Sequence, residues 1–156
     1  MSIATTLRSY LDGLGVTYTL VPHTHTGSSM DTAASAHVPG DRLAKAVIVK
    51  SEDEPLMVVV PSDYHVHLGL LHRYLGHEVG LATEAELAAL FPDCEPGAAP
   101  AIGQAYGIRT LLDSTLLNES EVYLEGGDHE TLVRLTGEEF RALMDEAEAV
   151  DVGQHI

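Results

Sequence analysis

Apolar positions near the start of the chain recur at helical spacing. Ile3, Leu7, Tyr10, Leu11 and Leu14 share one stripe, and Gly13 and Gly15 end it, which predicts an amphipathic helix over 3–13. The stretch 16–21, VTYTLV, is rich in β-branched residues and predicts a strand. A polar loop, HTHTGSS, follows at 23–29. Ser28 and Asp31 then stand at capping distance, predicting a short helix over 30–37 before the turn VPGD. Two apolar runs, LAKAVIVK at 43–50 and LMVVV at 56–60, flank the acidic SEDEP and read as a hairpin. Their near-continuous hydrophobicity predicts strands covered on both faces.

Helical spacing returns at 68–75, and 78–81 can form a short strand. Thr83 and Glu86 make a capping box ahead of Leu87, Leu90 and Phe91, and Pro92 stops that helix. Residues 93–107 hold two prolines and three glycines and predict no regular element. A structureless stretch of that length within a compact domain is unusual and often functional. Strands are expected at 108–112, 122–125 and 131–135, the last two flanking the turn GGDH. Thr136 and Glu139 cap a last helix over 137–147. Strands adjoin strands and helices alike, so the pattern predicts one mixed α/β or α+β domain spanning residues 1–156.

Composition narrows the function classes. Asp plus Glu number 24 against 8 Lys plus Arg, a net charge of −16. Such a surface repels phosphate at long range and excludes broad coating of DNA or RNA, but leaves room for a pocket that takes one nucleotide end. The single cysteine, Cys94, excludes an internal disulfide framework and a cysteine-based zinc site. Asp93 and Glu95 beside it raise its pKa, so it reads as a packing residue. The first residues lack a signal-peptide pattern, and no apolar run approaches the roughly 18 residues of a membrane span, so a cytoplasmic address is expected. With this charge and no leftover apolar stripe, a monomer is expected.

Few residues offer chemistry. Lys45 interrupts an apolar run, where a charge is costly unless it is paired or faces a wet pocket. The competing reading is an edge-strand lysine, or one that snorkels to solvent. GAAPAIG, at 97–103, has small side chains and an open backbone that can turn N–H groups toward an oxyanion, or it is a plain connection. His65 and His67 are spaced to share one strand face and invite a metal, yet no HExxH or cysteine partner accompanies them, and loop or surface imidazoles are preferred. There is no nucleophile elbow, Walker motif or dinucleotide fingerprint. No cofactor is called for.

Taken in order, these segments resemble the YbaK / prolyl-tRNA synthetase editing-domain family. The resemblance rests on the His-bearing loop, GDRLAKAVIV with Lys45, the apolar strand ending in Pro61, GLATEAELAAL, EPGAAPAIG, LLD at 111–113 and the GGDH hairpin. It implies a mixed, partly closed sheet flanked by helices, and hydrolysis of the ester joining a wrong amino acid to tRNA. It further implies that Lys45 is the key pocket residue. Gly97, Ala98, Ala99, Pro100 and Ala101 would bind substrate through their backbone, joined by Asp113, His129 and His25. Where the family keeps a loop proline this chain has Ala101, with Pro100 before it. The implied partner is the acceptor end of an aminoacyl-tRNA, with a synthetase as a candidate presenter of that tRNA. A non-catalytic module for an aminoacyl or nucleotide ligand, and a histidine-based metal-binding protein, are the alternatives.

Overall fold

A computed structural model describes residues 3–26 and 28–156. Met1, Ser2 and Gly27, the last within the polar loop expected at 23–29, lie outside the described residues. The apolar runs become strands of one mixed sheet. β2 (Leu43–Ser51) and β3 (Glu54–Pro61) form its central antiparallel hairpin, and the turn between them tightens to Glu52 and Asp53. β3 runs parallel to β6 (Arg109–Asp113), which runs parallel to β9 (Glu148–Val150). On the other side β2 runs parallel to β7 (Glu121–Glu125). β7 pairs antiparallel with β8 (Thr131–Thr136), which carries β1 (Thr19–Pro22) at the edge. β5 (Val79–Leu81) adds to the far end of β2. β4 (Tyr64–Val66) and β10 (Gly153–His155) form a separate two-stranded ribbon.

Side chains alternate between the two faces of the sheet. Ala44, Met57, Val59, Leu112 and Leu124 pack with Leu7 and Leu11 of α1 (Thr5–Gly13) and Phe140 of α5 (Gly137–Leu143). Each fully buried leucine here contributes roughly 1.5–3 kcal/mol. On the opposite face Val49, Leu56, Val58, Val60 and Leu111 pack with Leu71 of α3 (Leu68–Leu75). Further along that face Leu43 and Leu132 pack with Ala33 of α2 (Ser29–Ser35). The central strands are therefore covered on both sides, as their continuous hydrophobicity predicts.

The capping signals are realised. Thr83 and Glu86 form a complete box at α4 (Glu84–Leu90), as do Thr136 and Glu139 at α5. Two local differences from the sequence reading have physical causes. α5 ends at Leu143 because Val150 and Val152 draw the following segment into the second core, where β9 joins the sheet. Residues 103–106 form a 3-10 turn inside the stretch expected to lack structure.

Candidate active site

The parallel pairing of β2 with β7 covers only Leu43 with Tyr123 and Ala44 with Leu124. One residue further along each strand stand Lys45 and Glu125. Leu43 and Tyr123 belong to the cluster under α2, so alternation puts Lys45 and Glu125 on that same face. Across β2, Lys45 is in register with Val60. Asp113 follows Leu112, the β6 partner of Val59. A Cβ at Gly153 would stand 2.5 Å from Asp113 Oδ2 and 3.4 Å from Val60 Cγ1, so Asp113 also lies on the Lys45 face.

Lys45 is half-buried, and its Nζ donates to Ser62 O at 3.4 Å. Among the described residues it forms no ion pair. Burial pushes its ammonium below the usual lysine value, and the charge of Asp63 pulls the other way. Asp113 is buried, its Oδ1 accepting from Thr115 N at 3.0 Å and Thr115 Oγ1 at 2.6 Å. It therefore caps the 3-10 turn at Ser114–Asn118 as well as ending β6.

A second group gathers at the tip of the β7–β8 hairpin. His129 is buried, in the left-handed region at φ 59°, a conformation sparsely used by side-chain-bearing residues. Its Nε2 donates to Pro96 O at 2.6 Å. Gly97, at φ 81°, follows directly, and a Cβ there would sit 3.5 Å from His129 Cε1. His25 meets the His129 ring edge-on, with centroids 5.5 Å apart, and its Nε2 lies 3.2 Å from Glu95 Oε1. Backbone bonds lock the arrangement: His23 N donates to Glu130 O, Thr26 N to His129 O and Glu95 N to Gly127 O. In the loop, Ala98 N is spent on Glu95 O. The N–H groups of Gly97, Ala99 and Ala101 find no hydrogen-bond partner among the described residues. Ala98 and Ala101 are fully buried, which seats the loop against the domain while Gly97 stays exposed.

The structure thus brings His25, Gly97 and His129 together, and places Lys45 and Asp113 on one sheet face. Glu125 connects the two groups. It lies on the Lys45 face, where burial pushes its carboxyl above the usual glutamate value while Thr32, His129 and His23 pull the other way. Sequence reasoning missed it, although an acid in VYLE immediately before Gly-Gly was the available signal. It also missed Ser62 and Asp63. Two surface hollows lie elsewhere, one of about 220 Å³ beside Lys50 and Glu86, the other of about 280 Å³ beside Gln104 and Arg109. Cys94 packs against Tyr106, and burial first, with Asp93 adding, pushes its thiol up to about 11. The invited histidine pair serves the fold. His65 Nε2 meets Gln154 Oε1, and His67 caps α3 by accepting from Leu70 N.

The profile of the aminoacyl-tRNA editing domain matches residues 23–143, most of the chain. The chain belongs to that family. Its editing-domain fold is shared by solved structures at low identity. A candidate trans-editing enzyme for prolyl tRNA synthetase superposes with a TM-score of 0.78 at 23% identity, covering 98% of this chain and 99% of that one. A hypothetical protein gives 0.83 at 23% identity, with 96% and 99% covered. A candidate signal transduction protein from Marinobacter aquaeolei VT8 gives 0.76 at 18% identity. There 97% of this chain matches only 31% of the other, so the editing-domain fold also occurs inside a longer chain. No curated protein matches the sequence. No helix among the described residues is long and apolar enough to cross a membrane.

Proposed function

We propose that this editing domain is a trans-acting aminoacyl-tRNA deacylase that proofreads mischarged tRNA in the cytoplasm, with residues 1–156 working as a single YbaK-like domain and as a monomer. The observation that carries the reading is Lys45, a half-buried lysine without an ion-pair partner among the described residues, in a chain of the editing family. An aminoacyl ester is already activated, so hydrolysis needs no covalent nucleophile. It needs a positioned water and a stabilised oxyanion. Water adds to the ester carbonyl carbon, and the bond from that carbon to the ribose oxygen breaks. The ribose oxygen keeps the electron pair and takes up the proton the water gives up. Free amino acid and uncharged tRNA leave.

In this reading Lys45 holds the terminal phosphate or the carbonyl of the substrate. The N–H groups of Gly97 and Ala99 are available to receive developing negative charge, and Ala98, Pro100 and Ala101 hold the loop's shape. His129 and His25 border the substrate beside Gly97. Asp113 shapes the wall behind Val60. The acidic surface confines binding to the acceptor end, and a synthetase would present the remainder of the tRNA.

Deacylation of a panel of mischarged tRNAs tests the proposal. At least one should be cleaved, and Lys45→Ala should slow that cleavage by about 10²–10³-fold, the usual cost of removing a group that stabilises transition-state charge. The variant should keep its fold, because truncating a half-buried lysine opens no large core cavity. Equal rates in variant and wild type would remove Lys45 from the chemistry. Binding of an aminoacyl-adenosine without cleavage of any tRNA would make the domain a binding module instead.

A further inference from the structure

Three buried groups beside the substrate loop have unmet hydrogen-bonding needs among the described residues, and they lie close enough to act on one another electrostatically. His129 Nε2 faces a carbonyl, Pro96 O, which can only accept, so the ring proton is on Nε2. In the neutral ring Nδ1 is then a bare acceptor, and it is buried without a partner among the described residues. His23 repeats the logic with its nitrogens exchanged. Its Nδ1 is 2.7 Å from Thr24 O and carries the proton, leaving a buried Nε2 without a partner among the described residues. The third group is Glu125, 2% exposed, with neither carboxyl oxygen in a completed hydrogen bond among the described residues. The Thr32 hydroxyl adjoins it and pulls its carboxyl downward, short of a completed hydrogen bond, while also meeting Thr26 Oγ1. Two ring acceptors and one carboxyl are therefore buried together, and unpaired buried polar groups each cost about 1–3 kcal/mol.

We propose that Glu125 is a positioning residue that supplies one shared proton to His129 and His23, and through His129 fixes the Pro96–Gly97 backbone of the substrate loop. The carboxyl oxygens form no hydrogen bond with either ring among the described residues, so the link this proposal requires is one buried water. Water has two donors for the two ring acceptors and a lone pair for the carboxyl proton, and such waters typically make about three hydrogen bonds. The shared proton rests on Glu125, and the cluster stays neutral overall. The charged or titratable groups facing Glu125 are His129, His23 and Asp128 around the hairpin, with Lys45 one strand away on β2. Asp128 is occupied by Glu130 N, Thr131 N and Thr131 Oγ1. Lys45 is the competitor, because an ionised Glu125 could pair with it instead.

The inference rests on the deacylase reading for its catalytic consequence, and on the rings alone for its chemistry. The test is nitrogen-15 NMR of the histidine side chains at neutral pH in wild type, Glu125→Gln and Glu125→Leu, beside deacylation rates and the titration of Lys45. We expect His129 protonated on Nε2 and His23 on Nδ1 in the wild type. Gln at 125 can donate from its amide, so E125Q should preserve both tautomers and lose at most about threefold in kcat. E125L offers no shared proton, so it should move the His129 Nδ1 resonance toward that of an acceptor without a donor and lose about tenfold or more in kcat, with KM little changed. Lys45 should titrate alike in wild type and E125Q. A His129 proton on Nδ1, an E125Q as impaired as E125L, or a Lys45 titration that follows E125Q would each overturn the proposal. If E125L does not fold, the wild-type tautomers and E125Q still decide. If the wild type cleaves no mischarged tRNA, the deacylase reading falls while the NMR result stands or falls separately.

Discussion

Lys45 and Lys50, the two lysines of the chain, leave the same strand on opposite faces. They stand five positions apart along the strand, an odd offset, so the pleat sends them apart. Lys50 Nζ lies 2.9 Å from Glu86 Oε2, and that hydrogen bond raises its pKa. Lys45 donates only to a carbonyl, and burial lowers its pKa. One strand thus carries a structural lysine and one whose proton is held loosely.

The two lysines should therefore titrate in a fixed order. As pH rises, Lys45 should lose its proton first and Lys50 last. With only two lysine resonances to assign beside that of the α-amine, carbon-13 reductive methylation followed by NMR reads this directly. Lys45→Arg identifies the signals by removing one of them. Lys50 titrating at the lower pH would contradict the burial of Lys45.

The β2–β3 turn offers a stability test. Ser51 pairs with Glu54, so Glu52 and Asp53 alone make the connection, at φ 53° and 66°. A two-residue turn with both central φ values positive matches the strand twist but favours Asn-Gly. Replacing Glu52-Asp53 by Asn-Gly should stabilise the domain by about 1 kcal/mol, since the left-handed region costs side-chain-bearing residues roughly that much. The lost Lys50–Asp53 contact is exposed and long, at 3.9 Å, and offsets little of the gain. A thermal melt decides, and an unchanged or lower Tm would contradict the turn assignment.

Much of this architecture was legible because its signals are local. Apolar continuity marked β2 and β3, and capping boxes marked α4 and α5. The three-residue strands β4, β9 and β10 were not legible, since so few residues carry no periodicity and their pairing is decided by distant partners. His67 as a helix cap was hidden because imidazole is an uncommon capping acceptor. At the candidate site, Lys45 stood out as a charge in an apolar run, whereas Glu125 was one acid among many. Its burial becomes evident only when α2 and the 23–26 loop close over the end of β7.

Burial of Glu125 also predicts how stability depends on pH. Desolvation raises its pKa above the usual 4.5, so the folded chain holds the proton more tightly than the unfolded chain. Its contribution is complete below the unfolded value and drains away as pH climbs from there through the folded value. E125Q lacks that drain. Denaturant melts should show E125Q gaining on the wild type as pH rises from about 4.5, the ordinary glutamate value. The opposite trend would mean an ionised, ion-paired carboxylate.

The final prediction sets charge against function. Five cations lie between the start of the first site motif and Asp113, namely Arg42, Lys45, Lys50, Arg73 and Arg109. Arg42 is held by Glu119 and Glu121, Lys50 by Glu86, and Arg109 by both oxygens of Glu148. Each would have to abandon a carboxylate to reach a phosphate, in a chain of net charge −16. A deacylase built this way can make only two or three phosphate contacts. The plot of log affinity against log salt should then have a slope of magnitude about 2–3, at roughly 0.7–0.9 per contact. Turnover at saturating substrate should barely respond to salt, and a truncated substrate carrying only the acceptor end should be cleaved nearly as well as whole tRNA. A slope of about 6 or more, together with loss of activity on the truncated substrate, would require a basic tRNA-binding surface that these carboxylate pairings leave no room for.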